Sequence, residues 1–410
     1  IFHTDVNSAF LSWSALEQLK NDPQSPDLRE IPSAVGGDSK ERRGVITARS
    51  LPAKKYGISS GETVASAMSK CPQLVVVRGD FAAYRRYSGQ FMDMLRSYTE
   101  LVEPASIDEA FMDVTELTEP IDMRGSAIRL AYAIKDRIKN ELGFTVNIGI
   151  SENKLLAKTA SDFTKPDKVH TLFPDELNDK YFTLPIGEMF GCGRSTAARL
   201  VEMGIRTIGD AAGTDKDILI SHLGQKAGEY VYRSSHGMGS DRVDPSDREA
   251  KSYSNEVTTY EDITAVNVAT YGHEIISELS KKVAGRMRKD GVMGRTVYVQ
   301  LKTDDFRRHS RQKGISDATD RSSIIRNAAM MIFDELAREL FDEGYAIRLI
   351  GVGVSNLERT ENIQLTLDDL YEISAEHEEK ERARKKHERA DAMMDAIRNK
   401  YGDGIIKKGS

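Results

Sequence analysis

The order of strand-like and helix-like segments in residues 1–151 constrains the fold of this chain more than any other feature. Helices are predicted where apolar side chains recur every three or four residues, and strands where short apolar runs end at turn residues. The elements in chain order are a strand at 1–6, a helix at 80–99, a pair of strands at 102–115, a helix at 128–142 and a strand at 146–151. This order is typical of the split βαβ arrangement of a ferredoxin-like sheet, and an insertion at about 11–77 interrupts it. The pattern therefore predicts an α+β fold.

Two adjacent carboxylates, Asp108 and Glu109, lie between the two predicted strands at 102–115. Neighbouring side chains of one continuous strand point to opposite faces, whereas both can converge on one point at the tip of a hairpin. Asp5 ends the first strand and is expected at the same edge of the sheet. Three carboxylates there are enough to hold two Mg²⁺ ions about 3.5–4 Å apart for a phosphoryl transfer. An acidic turn with solvated charges is the alternative for the Asp-Glu pair taken alone.

The composition bounds the class of protein rather than its activity. At 410 residues the chain is too long for one core, and two to four domains are expected. The net charge of −6 means that any surface for nucleic acid must be local. The two cysteines, Cys71 and Cys192, have neither metal-ligand nor disulfide spacing, and no apolar run is long enough to span a membrane. We therefore predict a cytoplasmic protein.

Three stretches of the chain carry a resemblance to a known family: DVNSAF at 5–10, SIDEAF at 106–111 and GISENKLLAK at 149–158. In order and spacing they resemble signature stretches of the Y-family (translesion) DNA polymerases, and they are most similar to the bacterial DNA polymerase IV branch. The resemblance covers about residues 1–357. It implies a template-directed, low-fidelity DNA polymerase built as a right hand, with a ferredoxin-like palm, small fingers, a helical thumb and a separate α+β little finger.

The implied domains follow the chain with one interruption. They are the palm (1–10 and 78–165), the fingers (11–77), a helix-hairpin-helix thumb (166–240), a linker (241–251), the little finger (252–357) and a charged C-terminal tail (358–410). The linker is polar, charged and contains proline. Within the little finger, strands are predicted at 296–302 and 347–354, and helices near 264–289 and 322–342.

The resemblance assigns the catalytic carboxylates of the palm. Asp5, Asp108 and Glu109 match the family's metal-binding residues, which hold two Mg²⁺ ions in the active complex. The carbonyl oxygen of Val6 matches a further ligand. Asn7 stands where many relatives carry a second Asp, and we expect this change to be tolerated because that position need not touch the metal.

The resemblance also assigns contacts with a deoxynucleoside triphosphate. Phe10 matches the aromatic residue that packs beneath the incoming sugar and excludes a 2′-hydroxyl, with core packing as the alternative. Lys158 falls where the family places a triphosphate-binding lysine. In the fingers, Leu51 replaces a common Tyr, and Lys54 replaces a common Arg and loses its bidentate fork. Arg49 is the candidate to compensate for both changes.

DNA contacts are expected in the thumb and the little finger. Gly191 and Gly193 belong to a stretch that resembles a helix-hairpin-helix, in which glycines let the backbone N–H groups approach a phosphate. Simple helix caps are the alternative for these glycines. In the little finger, Arg307, Arg308 and Arg311 belong to a predicted basic loop at 307–313 that would contact DNA phosphates, unless it is merely solvated.

The tail contains a candidate site for a protein partner. Gln364, Leu365 and Leu367 match a short peptide with which bacterial polymerases bind their sliding clamp. The aromatic residue that usually follows is missing, because Asp368 and Asp369 stand there. An ordinary loop is an equal alternative.

Two other functions compete with a polymerase. Related palm sheets with metal carboxylates also make cyclic nucleotides, but a cyclase needs no DNA-binding thumb or little finger. A non-catalytic protein that binds damaged DNA would explain Leu51 and Lys54, but it would not need Asp5, Asp108 and Glu109 together. The preferred lesion, the error spectrum and the oligomeric state do not follow from the sequence.

Overall fold

The computed structural model describes residues 1–37, 44–246 and 249–359, and the chain divides into two compact units, 1–248 and 249–410. The strands are β1 (Phe2–Val6), β2 (Ser33–Gly36), β3 (Ile46–Arg49), β4 (Val75–Val77), β5 (Val102–Pro104), β6 (Glu109–Met112), β7 (Val146–Ile150), β8 (Val169–Thr171), β9 (Ser252–Ile263), β10 (Val292–Thr303), β11 (Arg308–Thr319) and β12 (Ile347–Arg359). The α-helices are α1 (Ala9–Asn21), α2 (Leu51–Lys55), α3 (Val64–Lys70), α4 (Phe81–Arg96), α5 (Met123–Leu142), α6 (Lys154–Ser161), α7 (Leu177–Lys180), α8 (Arg194–Glu202), α9 (Ile208–Ala212), α10 (Lys216–Leu223), α11 (Gln225–Ser235), α12 (His273–Lys289) and α13 (Ser322–Asp342). The candidate clamp peptide at 364–367 lies outside the described residues.

The first unit contains a five-stranded sheet in the order β5-β6-β1-β7-β8. β1 runs antiparallel to both β6 and β7, and α4 and α5 complete the predicted split βαβ order. That prediction is confirmed. β8 adds a fifth strand, parallel to β7, in residues that the sequence assigned to the thumb. The palm boundary at residue 165 stays a prediction, and the sheet itself continues beyond it through β8.

Alternation along β1 separates the core from the polar face of this sheet. Phe2 and Val6 join the core with side chains of α4 and α5, and the strand's period of two then points His3 and Asp5 to the other face. Helix α6 packs against β1 and β7. The carboxylate of Asp5 therefore lies on the sheet face away from the apolar core.

The insertion after β1 forms the predicted small fingers. Its sheet has the order β3-β2-β4, and its small core consists of Ala34, Ile46, Ala53, Ile58, Val64, Ala67, Cys71 and Leu74. Helix α1 lies in residues assigned to the fingers, but its Trp13 is fully buried in the palm core. The helix therefore belongs to the palm by packing, although the insertion begins within it. The short helices α7 to α11 then form the thumb, and their core also includes Leu156 and Ala160 of α6.

The second unit is the expected α+β domain, with a sheet in the order β11-β10-β12-β9 and the helices α12 and α13. The predicted strands at 296–302 and 347–354 are parts of the longer β10 and β12. The expectation of a basic loop at 307–313 is wrong, because residues 308–319 form β11 at the edge of the sheet. An edge strand needs no apolar stripe on both faces and often carries charge, which hid this strand from a search for apolar periodicity.

Candidate active site

Asp5 and Glu109 face each other across the central strands of the palm sheet. The antiparallel register of β1 and β6 pairs these two residues directly. Directly opposed residues have Cβ atoms about 4.5–5.5 Å apart and side chains on the same face, so the carboxylates converge. Burial raises the pKa of Asp5 to about 6, although the Lys165 ammonium group opposes the shift. Burial therefore disfavours the charged form of Asp5 unless a cation lies beside it.

Asp108 precedes Glu109 at the hairpin tip and points elsewhere. Its carboxylate accepts a hydrogen bond from the Ser106 hydroxyl group at 2.6 Å, while its carbonyl oxygen accepts one from the Val6 N–H at 3.0 Å. Among the described residues, no three side chains of Asp, Glu, His or Cys are grouped closely enough to hold a metal ion. Of the three carboxylates that were expected to converge, only those of Asp5 and Glu109 do so. Glu109 already belongs to β6, and the side chain of Asp108, one residue earlier, points to the other side.

Helix α6 brings Lys158 to this pair because Gly149 lets the helix touch the sheet. A Cβ atom at Gly149 would lie 2.0 Å from the carbonyl oxygen of Ala157 and 2.4 Å from the backbone nitrogen of Ser161. Only a residue without a side chain allows two backbones to approach so closely. Lys158 is 7% exposed, so its ammonium group is held beneath the helix against the carboxylates.

Two lysines contact the paired carboxylates. The Nζ atom of Lys158 donates to Oε1 of Glu109 at 2.8 Å and to Oδ2 of Asp5 at 3.3 Å. The Nζ atom of Lys165 donates to Oδ1 of Asp5 at 3.0 Å and lies 2.9 Å from Oδ1 of Asp162. Sequence reasoning missed Lys165. This residue follows Lys158 by seven positions and comes just after the end of α6, so it can reach the same edge of the sheet.

His3 also lies at this site and was missed. Its Nδ1 atom is 2.7 Å from Oγ of Ser161, whereas Nε2 lies 3.7 Å from Oε2 of Glu109, which is longer than a hydrogen bond. Burial lowers the pKa of His3, and the nearby imidazole and the Lys158 ammonium group lower the pKa of Glu109. The signal in the sequence is the period of two, since His3 precedes Asp5 by two residues in β1.

The donor set at this edge fits a divalent metal ion. The carboxylates of Asp5 and Glu109 offer only oxygen ligands, with Asp108 one residue away. Mg²⁺ takes one or two protein carboxylates and completes its shell with water and phosphate oxygens. Two opposed carboxylates also repel each other unless a cation lies between them. In this structure the ammonium group of Lys158 contacts both.

A cavity of about 370 Å³ opens beside Asp5 between the palm and the fingers. Among the described residues, its lining has one acidic residue, Asp5, and four basic residues, Arg29, Arg49, Lys54 and Lys165. Four cations around one cavity produce a positive local field in a chain whose net charge is negative. The cavity therefore suits a polyanionic ligand that also approaches the carboxylates.

The fingers residues around this cavity differ in how they are held. Arg29 is held by the Asp27 carboxylate. The Nε atom of Arg49 is buried and has no hydrogen-bond partner among the described residues, and its Nη1 is 3.4 Å from Oγ of Ser60. Leu51 lines the cavity with a side chain that is half exposed. The guanidinium group of Arg49 thus retains unused donors at the cavity.

Phe10 lies in the first turn of α1 and packs on aromatic rings. Its ring stacks on Tyr84 with centroids 4.8 Å apart and an interplanar angle of 24°. Phe81 meets the ring of Phe10 at 6.4 Å and is 64% exposed. An aromatic cluster therefore supports one face of the Phe10 ring. The alternative, in which Phe10 serves core packing only, predicts the same contacts.

Comparison with known proteins identifies the family. Residues 4–162 match the model of the impB/mucB/samB family, and residues 250–367 match the model of that family's C-terminal domain. A DNA polymerase IV of Clostridium acetobutylicum is 40% identical over 410 residues, covering 100% of this chain and 97% of that protein. A DNA polymerase IV of Clostridium kluyveri is 33% identical with the same coverage. The chain belongs to the Y-family of DNA polymerases.

A solved structure shows the same fold. The Y-family DNA polymerase chimera Dbh-Dpo4(243-245)-Dbh superposes with a TM-score of 0.74 at 24% identity, covering 87% of this chain and 98% of that one. Because the full-length relatives and both family models match, the chain is a translesion DNA polymerase, a class that is metal-dependent and acts on primer-template DNA. The cyclase and the non-catalytic alternatives are set aside, because the polymerase relatives match the whole chain. In the described part of the chain, no helix has the length and apolarity needed to cross a membrane.

The thumb of this polymerase contains the two predicted glycines at the start of a helix. Gly193 precedes α8, and no side chain caps the first N–H groups of that described helix. Gly191 has a φ of +79°, and a Cβ atom there would lie 2.2 Å from the hydroxyl oxygen of Tyr230. That hydroxyl group donates to the carbonyl oxygen of Phe190 at 2.6 Å. Gly191 therefore shapes the turn, while Gly193 leaves backbone donors free.

The three predicted arginines of the little finger lie in different surroundings. Arg308 lies opposite Lys302 in β10 and pairs with Glu256. Arg311 lies opposite the buried Val299, so it points to the helix-covered face, where it pairs with Glu339 of α13. The exposed Arg307 precedes β11 and contacts Asp305. Arg307 and Arg308 are therefore better placed than Arg311 to meet a ligand on the open face.

Proposed function

We propose that this polymerase extends a primer 3′-hydroxyl with deoxynucleoside triphosphates, using two Mg²⁺ ions at the edge of the palm sheet. Asp5, Asp108 and Glu109 are the proposed ligands, together with the carbonyl oxygen of Val6. The observation that carries the proposal is the register pairing of Asp5 with Glu109 beside a cavity with four basic residues. A polyanionic substrate and two carboxylates meet there with opposite charges.

The chain's own residues bind and orient the reactants. When bound, the two metal ions stabilise charge on the attacking and leaving oxygens of an in-line displacement. Asp5 and Glu109 would set the positions of the metal ions, because the register of β1 and β6 places these two carboxylates opposite each other. Asp108 needs a change of side-chain rotamer, away from Ser106, to join them. The buried His3 lies beside Glu109, with Nε2 3.7 Å from Oε2.

The triphosphate is proposed to lie in the basic cavity. Arg49 and Lys54 of the fingers and Lys165 of the palm line it, and all three can donate to phosphate oxygens. Lys158 does not line this cavity, so Lys165 is the proposed first phosphate contact on the palm side. Lys158 lies in the layer beneath, where it contacts Asp5 and Glu109, and it would reach phosphate only after leaving these carboxylates.

Phe10 is the proposed sugar gate. Its ring is supported by Tyr84, so it cannot retreat easily when a bulkier sugar enters. A ribose would press its 2′-hydroxyl against this ring, and the hydroxyl group would lose its water without gaining a partner. Because Tyr84 holds the Phe10 ring in place, the contact between this ring and the sugar would select deoxyribose over ribose.

DNA contacts are proposed for the backbone around Gly191 and Gly193, and for Arg307 and Arg308. Contacts of this kind hold phosphates irrespective of sequence. The sliding clamp is a further proposed partner through Gln364, Leu365 and Leu367. Removal of residues 358–410 should abolish clamp-stimulated synthesis and spare unstimulated synthesis on short primers. Equal stimulation with and without the tail would reject this partner.

A primer-extension assay tests the proposed chemistry. Asp108→Asn and Glu109→Gln keep the size of each side chain and remove its charge, and either should lower the extension rate by at least about 10²-fold, or roughly 2.7 kcal/mol. Primer-template binding, measured in parallel, should change little. Glu116→Gln is the matched control, because this exposed residue follows the same strand outside the site. Near-normal extension by Glu109→Gln would refute the metal assignment.

A further inference from the structure

Lys158 and Lys165 use the same carboxylate oxygens that a metal ion needs. The two ammonium groups contact Oε1 of Glu109 and both carboxylate oxygens of Asp5, at 2.8–3.3 Å. A coordinated Mg²⁺ lies about 2.0–2.1 Å from its ligand oxygens and demands near-ideal octahedral geometry. An ammonium group hydrogen-bonded to those oxygens both blocks that geometry and repels the ion. Metal and lysine therefore compete.

The lysines have an alternative place beside the same site. Asp162 lies 3.4 Å from Nζ of Lys158 and 2.9 Å from Nζ of Lys165, and it is not one of the proposed metal ligands. Lys165 also lines the basic cavity in which the triphosphate is proposed to bind. When phosphate oxygens enter this cavity, they and Asp162 together can hold both ammonium groups. The lysines then release Asp5 and Glu109 without becoming unpaired.

We infer that Lys158 and Lys165 are built-in competitors of the metal, so that the site takes up metal together with a triphosphate rather than before it. This inference rests on the proposed function, since it assigns a second role to lysines of the same site. Coupling between two ligands is reciprocal, so whatever draws the lysines away favours metal binding, and metal binding favours the transfer of the lysines to phosphate. Lys158 contacts both carboxylates and is the main competitor.

The first test is Mn²⁺ binding to the full chain without nucleotide, followed through the electron paramagnetic resonance signal of free Mn²⁺. Lys158→Met should bind Mn²⁺ with a dissociation constant at least about tenfold lower than that of the wild type. Lys154→Met is the matched control, because this residue of the same helix pairs with the buried Glu103 at 2.7 Å. It removes a similar lysine from a similar partner and should leave the Mn²⁺ affinity unchanged.

Two further measurements make the result decisive. Mn²⁺ should raise the melting temperature of Lys158→Met more than that of the wild type, which also shows that the variant is folded. Adding Asp5→Asn to Lys158→Met should remove most of the gain in affinity, because Asp5 then loses its negative charge and one of its two ligand oxygens. An unchanged Mn²⁺ affinity in folded Lys158→Met overturns the inference. Primer extension by the wild type tests the proposed function separately, so the two can fail independently.

The phosphate side is tested with inorganic tripolyphosphate in metal-free buffer, by calorimetry. If the lysines transfer to phosphate, Lys158→Met and Lys165→Met should each bind tripolyphosphate at least about fivefold more weakly than the wild type. Lys154→Met should again match the wild type. Wild-type affinity in Lys158→Met would show that this lysine never leaves the carboxylates, and the inference would be wrong.

Discussion

Replacing Gly149 by alanine tests whether the contact between α6 and the palm sheet sets the position of Lys158. Gly149 lies in β7, and the backbone of α6 passes directly over it. Alanine adds a single methyl group and no charge or polarity. Any loss of activity must therefore come from displacement of the helix and of the side chains that it carries.

The size of the effect follows from the distances at Gly149. The new Cβ atom would lie 2.0 Å from the carbonyl oxygen of Ala157, whereas real Cβ contacts are essentially never shorter than 3.0 Å, so the helix must move by about 1 Å. Overpacking of this kind costs roughly 1–3 kcal/mol, and backbone obstacles favour the upper end. A misplacement of about 1 Å can also lower a catalytic rate by about 10²-fold. Stability and activity should thus both fall.

Thermal unfolding and single-turnover primer extension measure the two effects. We expect Gly149→Ala to melt several degrees below the wild type and to extend primers about 10²-fold more slowly. Gly89→Ala is the matched control, because a Cβ atom there meets nothing within 4 Å in the middle of α4. It should keep full activity and gain about 0.5–1 kcal/mol. Wild-type stability and activity in Gly149→Ala would refute the reasoning.

The remaining predictions concern the sugar and the DNA. Phe10→Ala should admit ribonucleotides, because roughly 1–3 kcal/mol of desolvation cost disappears. The ratio of kcat/KM for a deoxynucleotide to kcat/KM for its ribose counterpart should fall by about tenfold or more. An unchanged ratio would show that Phe10 only packs against its neighbours. Arg308→Ala should reduce the slope of log affinity for DNA against log salt by about one unit, whereas Arg311→Ala should not, because Arg311 faces α13. Equal slopes for the two variants, measured by fluorescence anisotropy, would contradict the assignment of faces.

The sequence predicts the palm because its strands and helices have strong periodic patterns. The order of elements in 1–151, the hairpin with Asp108 and Glu109, and helix α13 all follow from such patterns. β11 does not, because Arg308 to Gln312 show no apolar face at the edge of the sheet. β8 is only three residues long and gives no periodic signal. Short and edge strands are stabilised by their neighbours, which a local pattern cannot contain.

The site was predictable where residues are near one another in the sequence or match a motif. Asp5 and Glu109 were found in this way, and the register of β1 and β6 explains their meeting. Lys165 and His3 were missed because their roles depend on how α6 and β1 lie in space. The hydrogen bond between the Asp108 carboxylate and Ser106 was also beyond the sequence, since the direction of a side chain depends on its local partners.

Leu51 provides the last prediction, because the family resemblance implies a Tyr at this position and the half-exposed Leu51 side chain lines the basic cavity. Leu51→Tyr should add a hydroxyl donor to a phosphate oxygen, and a hydrogen bond to a charged group contributes about 1.5–3 kcal/mol. The KM for a deoxynucleoside triphosphate should then fall about tenfold, with a smaller change in kcat, because the contact forms in the ground state as well. Leu51→Phe is the matched control, since it adds the ring without the hydroxyl group. If both variants lower KM equally, the gain comes from packing, and if neither does, Arg49 already supplies the missing contact.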